Sequence, residues 1–288
     1  MATFTPSINL AVNTSYNATI TIGAKDLAGN ALASTYAWNF TTGVTLPANP
    51  TAPVLGEAGR FVILASQKVT TTGVTAIRNG DIGIEDQART YYEGFSPVIP
   101  AVGHYGEFTN LINGLSYAHD DMPPFLIPAP YASTIAFINQ VRTDLGKAYL
   151  FLAADPNPGA PTQVCPTELG GLTLTRGVYK TAVNVIIEQG DLHLDAQGDP
   201  NSVWIFSIGG TLTTGAPHGN IVLEGGALAK NVYWVTGGTT IIGTGTAFYG
   251  NVFAWSQVNM LTGASINGSL FALTDQGTLQ ANTVTKAP

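Results

Sequence analysis

Residues 231–288 read "NVYWVTGGTTIIGTGTAFYGNVFAWSQVNMLTGASINGSLFALTDQGTLQANTVTKAP", a hydrophobic run followed by glycine, threonine and other small residues, then repeated. From Val203 onward only Glu224, Lys230, Asp275 and Lys286 are charged. A surface that serves solubility alone carries more charge than this. Either the segment is buried, or its exposed part has a use that charge would spoil. Aligned on themselves, "NVYWV" (231–235), "NVFAW" (251–255) and "SLFAL" (269–273) form one column, which "SVWIF" (202–206) joins. Such a period marks stacked coils, each able to bury its interior only against its neighbours. At a strand rise of ~3.3 Å it matches one coil of a three-faced solenoid.

A second column follows the first. Phe248, Ile266 and Val284 align as apolar and inward-facing. Just before them stand "TGTA" (244–247), "TGAS" (262–265) and "QANT" (280–283), and earlier segments offer "TGVT" (72–75), "TAVN" (181–184) and "TTGA" (213–216). Two readings are open. Threonine favours strands and glycine favours corners, so the column is in one reading only a polar exterior. In the other, the spacing matters. Stacked coils set equivalent residues about 4.7–4.9 Å apart. Each threonine adds a hydroxyl and a methyl on a stiff side chain. A lattice of such groups holds water in a regular array close to the spacings of ice, and charged groups would disturb the match.

Outward from this region the pattern changes. In "YASTIAFINQVRTDLGKAYLFLAAD" (131–155), Ile135, Ile138, Val141, Leu145, Ala148 and Leu152 recur in steps of three and four. That spacing predicts one amphipathic helix over 133–154, with Ser133 as N-cap and Asp155-Pro156 as its stop. A lone helix must lay its apolar stripe on something large, and the β region is the candidate. Phe61–Ala65 and Val69–Thr72 read as strands, and residues 86–130 as an irregular cap or functional loop. Residues 1–43 read as three short β segments, Ala2–Thr5, Tyr16–Ile22 and Tyr36–Thr42, with "KDLAGNAL" as a loop. Three strands bury one face only, so this is part of a sandwich. Residues 44–55, "VTLPANPTAPVL", read as a Pro-rich linker.

Composition narrows the function classes. Charged residues make up 10% and apolar ones 45% of 288 residues, with 33 glycines, which excludes a disordered chain and fits a β-rich fold. The net charge is −7 without a basic cluster, so neither nucleic acid nor an anionic membrane is an expected partner. No apolar run reaches the roughly 20 residues of a membrane span. The start, "MATFTPSINL", lacks the features of a signal peptide, so the chain is cytoplasmic or its N-terminus is truncated. Cys165 stands alone.

Two resemblances fit these residues. "ATFTP", "YNATIT", "DLAGNAL" and "YAWNFTTG" resemble the C-terminal end of bacterial Ig-like domains. From about Gly56 to Pro288 the chain resembles the microbial ice-binding proteins with a discontinuous right-handed β-solenoid and a flanking helix. The matching stretches include "AGRFVILA", "DIGI", "AFINQVRTDLGKAY", "LGGLTLTRGVYK", "LDAQGDPNSVWIFSIGGTLTTG", "KNVYW", "IIGTGTAFYGNVFA" and "LTGASINGSLFAL". That resemblance implies a mainly β fold: a three-faced, discontinuous solenoid over 56–288, one long helix alongside, and a cap over 86–130. It implies that the N-terminal strand lies beside the C-terminal coils. It also implies adsorption to ice through one flat face, without catalysis or cofactor, with thermal hysteresis and slowed recrystallisation. The family's pattern is Thr, then Ala or Gly, any residue, then Thr or Asn. The candidate ice-binding residues are therefore Thr72, Thr75, Thr181, Asn184, Thr214, Thr244, Thr246, Thr262, Ser265 and Thr283. A secreted or cell-surface monomer is the expected state.

Two rival classes remain at this level. β-Helices also house carbohydrate-active enzymes, which need carboxylates converging on one groove. Asp195 and Asp199 stand in turns instead, and His119-Asp120-Asp121, the densest ionisable group, reads as a hydrogen-bonded loop cluster. His104, His193 and His218 lack metal-ligand spacing. Cys165 has no neighbouring histidine and reads as structural. Trp204, Tyr233, Trp234, Phe253 and Trp255 could stack sugars, but their alternation with small residues favours core and helix packing. The other rival is an adhesin whose solenoid binds ice or a sugar for a cell.

Overall fold

Phe61–Ala65, buried throughout, pairs in parallel with Leu270–Ala272 near the other end of the chain. This pairing closes a discontinuous solenoid. The coils between Gly177 and Thr285 stack in chain order, and the coils built from residues 61–118 are added beyond the last of them. The computed structural model describes residues 10, 14–43, 46–98, 107–122, 125, 127–154, 159–215 and 219–288. It divides into two units, Met1–Pro47 and Ala48–Pro288.

In the larger unit each coil contributes to three parallel sheets. Sheet A has nine strands in the order Ser116–Ala118, Asp81–Ile84, Phe61–Ala65, Leu270–Ala272, Asn251–Ala254, Val232–Thr236, Trp204–Ile208, Gly177–Thr181 and Thr162–Val164. Sheet B has seven: Val185–Ile187, Leu212–Thr214, Thr240–Ile242, Val258–Met260, Gln276–Gln280, Lys68–Thr72 and Tyr92–Glu93. Sheet C is split. Five strands run from Leu111–Ile112 through Ala76–Arg78, Thr283–Thr285 and Ser265–Asn267 to Ala247–Tyr249, and three join Thr173–Leu174, Leu192–Asp195 and Ile221–Glu224.

Sheet A reads as continuous hydrophobic runs because both its faces are covered. One face joins the solenoid interior, where Phe206 stacks on Trp234 with ring centroids 4.0 Å apart. The other packs on the helix Thr134–Ala153 through Phe61, Leu64, Ile205, Tyr233, Phe253 and Phe271. Ser133 caps that helix by accepting from Ala136 N at 3.1 Å. Ile138, Val141, Leu145, Ala148 and Leu152 are buried as the spacing requires. Ile135 is not: it is 46% exposed, and Phe137 takes the inward place. The Phe137 ring meets Phe61, Tyr117 and Tyr131, a wider contact than Ile135 offers. The expected stop at Asp155-Pro156 lies outside the described residues.

The columns hold with corrections to register. Phe248, Ile266 and Val284 do stack, all buried. Asn251 lies over Tyr233, however, and not over Asn231. Trp204 pairs with Val232. Aligning "NV" with "NV" is two residues off, a slip that keeps every side chain on its own face and so leaves no mark in the hydrophobic pattern. The "SVWIF" alignment is off by one, which reverses inside and outside for that strand. The rung-to-rung step is 27 residues at Asn184–Thr211 and 18 at Thr262–Gln280, so the coils shorten toward the C-terminus.

The described part of 86–130 forms the end of the stack. It supplies the outermost strand of each sheet, Ser116–Ala118, Tyr92–Glu93 and Leu111–Ile112. Tyr92, Phe95 and Phe108 close over that end with ring centroids 5.0–5.7 Å apart. A short antiparallel pair, Pro97–Val98 with Glu107–Phe108, leaves this coil.

The described residues of the smaller unit form a hairpin, Ser15–Ile20 paired antiparallel with Tyr36–Thr41. Its "DLAGN" loop is organised by Asp26, whose carboxylate accepts from Ala28 N and Asn30 N at 2.9 Å and from the Asn30 side chain at 3.0 Å. These bonds, the Asn30 amide first, hold the Asp26 carboxyl below its ordinary value. The strand expected over Ala2–Thr5 lies outside the described residues.

Candidate functional site

Sheet A is occupied by the helix, so the two other faces are compared by their outward side chains. On sheet C the strands carry Arg78, His193, Asp195 and Glu224, and His193 Nδ1 lies 2.7 Å from Glu224 Oε1. On sheet B the strands from Val185–Ile187 to Gln276–Gln280 carry no charge at all. Charge enters only at the last two, where Lys68 pairs with Glu93 at 2.6 Å.

The strands of sheet B alternate. Leu212, Thr240, Val258 and Val69 point into the solenoid and are buried. The residues between them point out and form one straight row across six strands: Ile186, Thr213, Ile241, Asn259, Thr278 and Thr70. Each is partly exposed, and Thr278 Oγ1 donates to Asn259 Oδ1 at 2.7 Å. Thr211, Thr239 and Gln257 immediately precede three of these strands, on one side of the row. Thr244, Thr262, Gln280 and Thr72 form a parallel row at the corner with sheet C, where Thr262 Oγ1 donates to Gln280 Oε1 at 3.1 Å. Neighbouring strands lie about 4.7–4.9 Å apart, so hydroxyls, amides and methyls repeat at that pitch on a closed, stiff scaffold.

The ten candidate residues divide into three sets. Thr72, Thr244 and Thr262 stand in the corner row, exposed, and Ser265 and Thr283 lie just past it as the first residues of their sheet C strands. Thr75, Thr214 and Thr246 are corrections. They are 3%, 2% and 2% exposed and face the interior. Thr71 Oγ1 donates to Thr75 Oγ1 at 2.7 Å, Thr214 and Thr246 share a hydrogen bond of 3.0 Å, and Gly243 N donates to Thr214 Oγ1 at 2.8 Å. Buried backbone at a tight corner needs partners; the Thr214 and Thr75 hydroxyls provide them, and Thr246 supports Thr214. Thr75 is displaced inward because its turn has one residue more than the turn at 280–283: it sits against Asn282, whose N–H it accepts at 3.2 Å. Thr181 and Asn184 belong to the opposite edge of sheet B. Thr181 ends a sheet A strand and lines a groove beside Tyr149, while Asn184 Oδ1 accepts from Thr211 N at 2.9 Å. The single threonine column expected from the motif is thus one corner row plus residues from elsewhere.

Thr70, Thr211, Thr213, Thr239, Asn259 and Thr278 were not among the candidates. Their signal is alternation about one apolar inward residue: Leu212 in "TLTT" (211–214), Val258 and Met260 in "QVNM" (257–260) and Val69 in "KVTTT" (68–72), with Thr214 and Thr71 also inward.

The rival chemistries find other roles. Asp121 is buried and held by Arg89 through both carboxylate oxygens at 2.7 and 2.5 Å, Asp120 accepts from Arg89 N, and the guanidinium lies 4.3 Å from the Phe125 ring centroid. This is a clamp on the terminal coil. Asp195 and Asp199 cap turns by accepting from Gln197 N and Asn201 N, and Asp199 pairs with Arg176 at 2.6 Å. Burial pushes the Cys165 thiol up to about 12, which keeps it from acting as a nucleophile. Trp204, Tyr233, Trp234 and Phe253 are core residues, whereas Trp255 is 48% exposed and leans on Tyr149 of the helix. Among the described residues no three His, Cys, Asp or Glu side chains converge as a metal site. His104 and His218 lie outside the described residues.

Comparison with known proteins agrees with this geometry. Residues 63–285 match the family described as ice-binding-like, and residues 1–42 match a bacterial Ig-like domain. Ice-binding protein 1 of Shewanella frigidimarina (strain NCIMB 400) is 65% identical over 243 residues, 84% of this chain but 27% of that protein's length. An ice-binding protein of Colwellia sp. is 34% identical over 84% of this chain and 87% of its own. A solved domain of the Shewanella protein superposes with a TM-score of 0.81 over 83% of this chain and 99% of its own, at 65% identity. A glycosylated ice-binding protein from an Arctic yeast superposes with a TM-score of 0.69 at 29% identity, over 84% of this chain and 95% of its own.

Proposed function

The chain belongs to the ice-binding-like family, and on that premise we propose that it adsorbs to ice through sheet B and the corner row beside it. The observation that carries this reading is the uncharged outward row Ile186, Thr213, Ile241, Asn259, Thr278 and Thr70, on a sheet that the helix leaves free. Its methyls order the neighbouring water, its hydroxyls and amides anchor it, and the ordered layer merges with the lattice. Adsorbed molecules pin the ice front, which curves between them. Curvature lowers the local freezing point, giving thermal hysteresis, and slows recrystallisation. The protein needs no bond-making step for this, and it acts as a monomer outside the cell, where ice grows. The Ig-like segment supports a surface protein in which the solenoid is the ice-contacting part.

The test is Thr278→Tyr. Thr278 is partly exposed and fifth of the six residues in the row, so a ring there lifts the face off the ice without entering the core. Thermal hysteresis and capture of a fluorescent fusion on ice fall sharply, and the melting transition stays near wild type. Full ice activity in this variant moves the site to another face.

A further inference from the structure

Asn282 is 1% exposed and lies under the corner row. Its bonds reach three successive coils. Its Oδ1 accepts from Gln280 N in its own turn. Its Nδ2 donates to Leu261 O at 2.8 Å and Ala264 O at 3.0 Å, the carbonyls on either side of Thr262 and Gly263 in the coil below. Its backbone N donates to Thr75 Oγ1 at 3.2 Å, and its carbonyl accepts from Ala76 N at 2.8 Å, in the turn that follows Thr72 in the coil above. Three of the four corner residues, Thr262, Gln280 and Thr72, thus stand in turns that meet at one buried residue: the Asn282 side-chain amide holds the turns of Thr262 and Gln280, and the Asn282 backbone holds the turn after Thr72.

The backbone here needs that tie. The turns after Thr244, Thr262 and Thr72 contain Gly245, Gly263 and Gly73 at φ of 71°, 73° and 70°. The turn after Gln280 places Ala281 at φ 51°, where a side chain is disfavoured. The Asn282 amide compensates by holding both ends of that turn and of its neighbour. Nothing exposed on Asn282 meets ice, so any effect it has on the face is through position.

We propose that Asn282 is the positioning residue of the ice-binding corner: its side-chain amide sets Thr262 and Gln280 in register with each other, and hence the match of that row to the ice lattice. The inference rests on the assignment of the sheet B face as ice-binding. Asn251 supplies the control. It is also a buried corner asparagine, and its Nδ2 donates to Lys230 O at 3.1 Å and Val232 O at 3.4 Å, but it lies at the corner between sheets C and A.

The experiment compares Asn282→Ala, Asn282→Asp and Asn251→Ala in the full chain, near 0 °C, with circular dichroism to confirm folding and a thermal melt for each. Asn282→Asp keeps the acceptor for Gln280 N and loses the two donors to the coil below. Both Asn282 variants drop to about half the wild-type thermal hysteresis or less, as expected when a recognition row loses its supporting shell. Asn251→Ala lowers the melting transition comparably and keeps wild-type hysteresis. A folded Asn282→Ala with unaltered hysteresis overturns the proposal, and so does an equal loss in Asn251→Ala. If Asn282→Ala fails to fold, Asn282→Asp alone decides on the same terms. If Thr278→Tyr loses activity while both Asn282 variants keep it, only the positioning role fails. If Thr278→Tyr keeps it, the face itself was misassigned.

Discussion

A threonine in this chain does one of two things, and depth decides which. Thr213 and Thr278 alternate with buried Leu212 and Leu279 and present hydroxyl and methyl outward, whereas Thr75 and Thr214 turn inward and satisfy corner backbone, and Thr246 turns inward to bond the Thr214 hydroxyl. The motif Thr-Gly-x-Thr does not separate the two, because an extra residue such as Val74 moves the second threonine from surface to interior. Strand alternation does separate them, and it was legible in "KVTTT" and "QVNM". A different single residue makes stability depend on pH. Glu85 is 2% exposed, and burial pushes its carboxyl up to about 7, with Arg142 at 3.9 Å only partly opposing this. The folded chain therefore holds this proton more tightly than the unfolded chain, whose value is 4.5. The associated stability is complete below that value and is lost as pH rises through about 7, an upper limit of about 3 kcal/mol. Glu85→Gln should melt higher than wild type at about pH 8 and flatten the decline between about pH 5 and pH 8. Thermal melts across that range check it, and parallel curves for the two proteins would refute it.

Among elements, the helix was the easiest to read and the strand register the hardest. Steps of three and four fixed the helix, its Ser133 cap and five of its buried residues, because a helical stripe has one geometry. Ile135 and Phe137 lie on either side of that stripe, and only the ring cluster around Phe61 and Tyr117 decides between them. Register within sheet A depends on turn lengths that hydrophobic pattern does not encode: Tyr233 over Asn251 and Asn231 over Asn251 bury the same face. The helix contributes more to the site than stability. By covering sheet A it leaves sheet B as the uncharged face open to solvent. Ser133→Ala, which removes the bond to Ala136 N, should cost about 1 kcal/mol in denaturant unfolding with ice activity unchanged near 0 °C. A loss of hysteresis in a folded Ser133→Ala chain would place the helix in the site.

At the scale of the whole molecule, one asymmetry among three faces decides where ice can dock. Sheet A is packed, sheet C carries Arg78, His193, Asp195 and Glu224, and the first five strands of sheet B repeat uncharged, partly exposed side chains at the spacing of its strands. The repeat, the scarcity of charge and the inward column Phe248, Ile266 and Val284 made the solenoid legible in sequence. Which face meets ice was not legible, since it depends on where the helix lands and on which corner each turn occupies. Three Tyr substitutions on sheet B, at Thr213, Asn259 and Thr278, set against three on sheet C, at Val222, Asn267 and Thr285, give the most direct measurement. All six positions are partly exposed, and near-native melting of both variants checks that no ring enters the core. Thermal hysteresis of the sheet B variant should vanish while that of the sheet C variant stays at wild type, both with near-native melting; retained hysteresis in the first, or its loss in the second, contradicts the account.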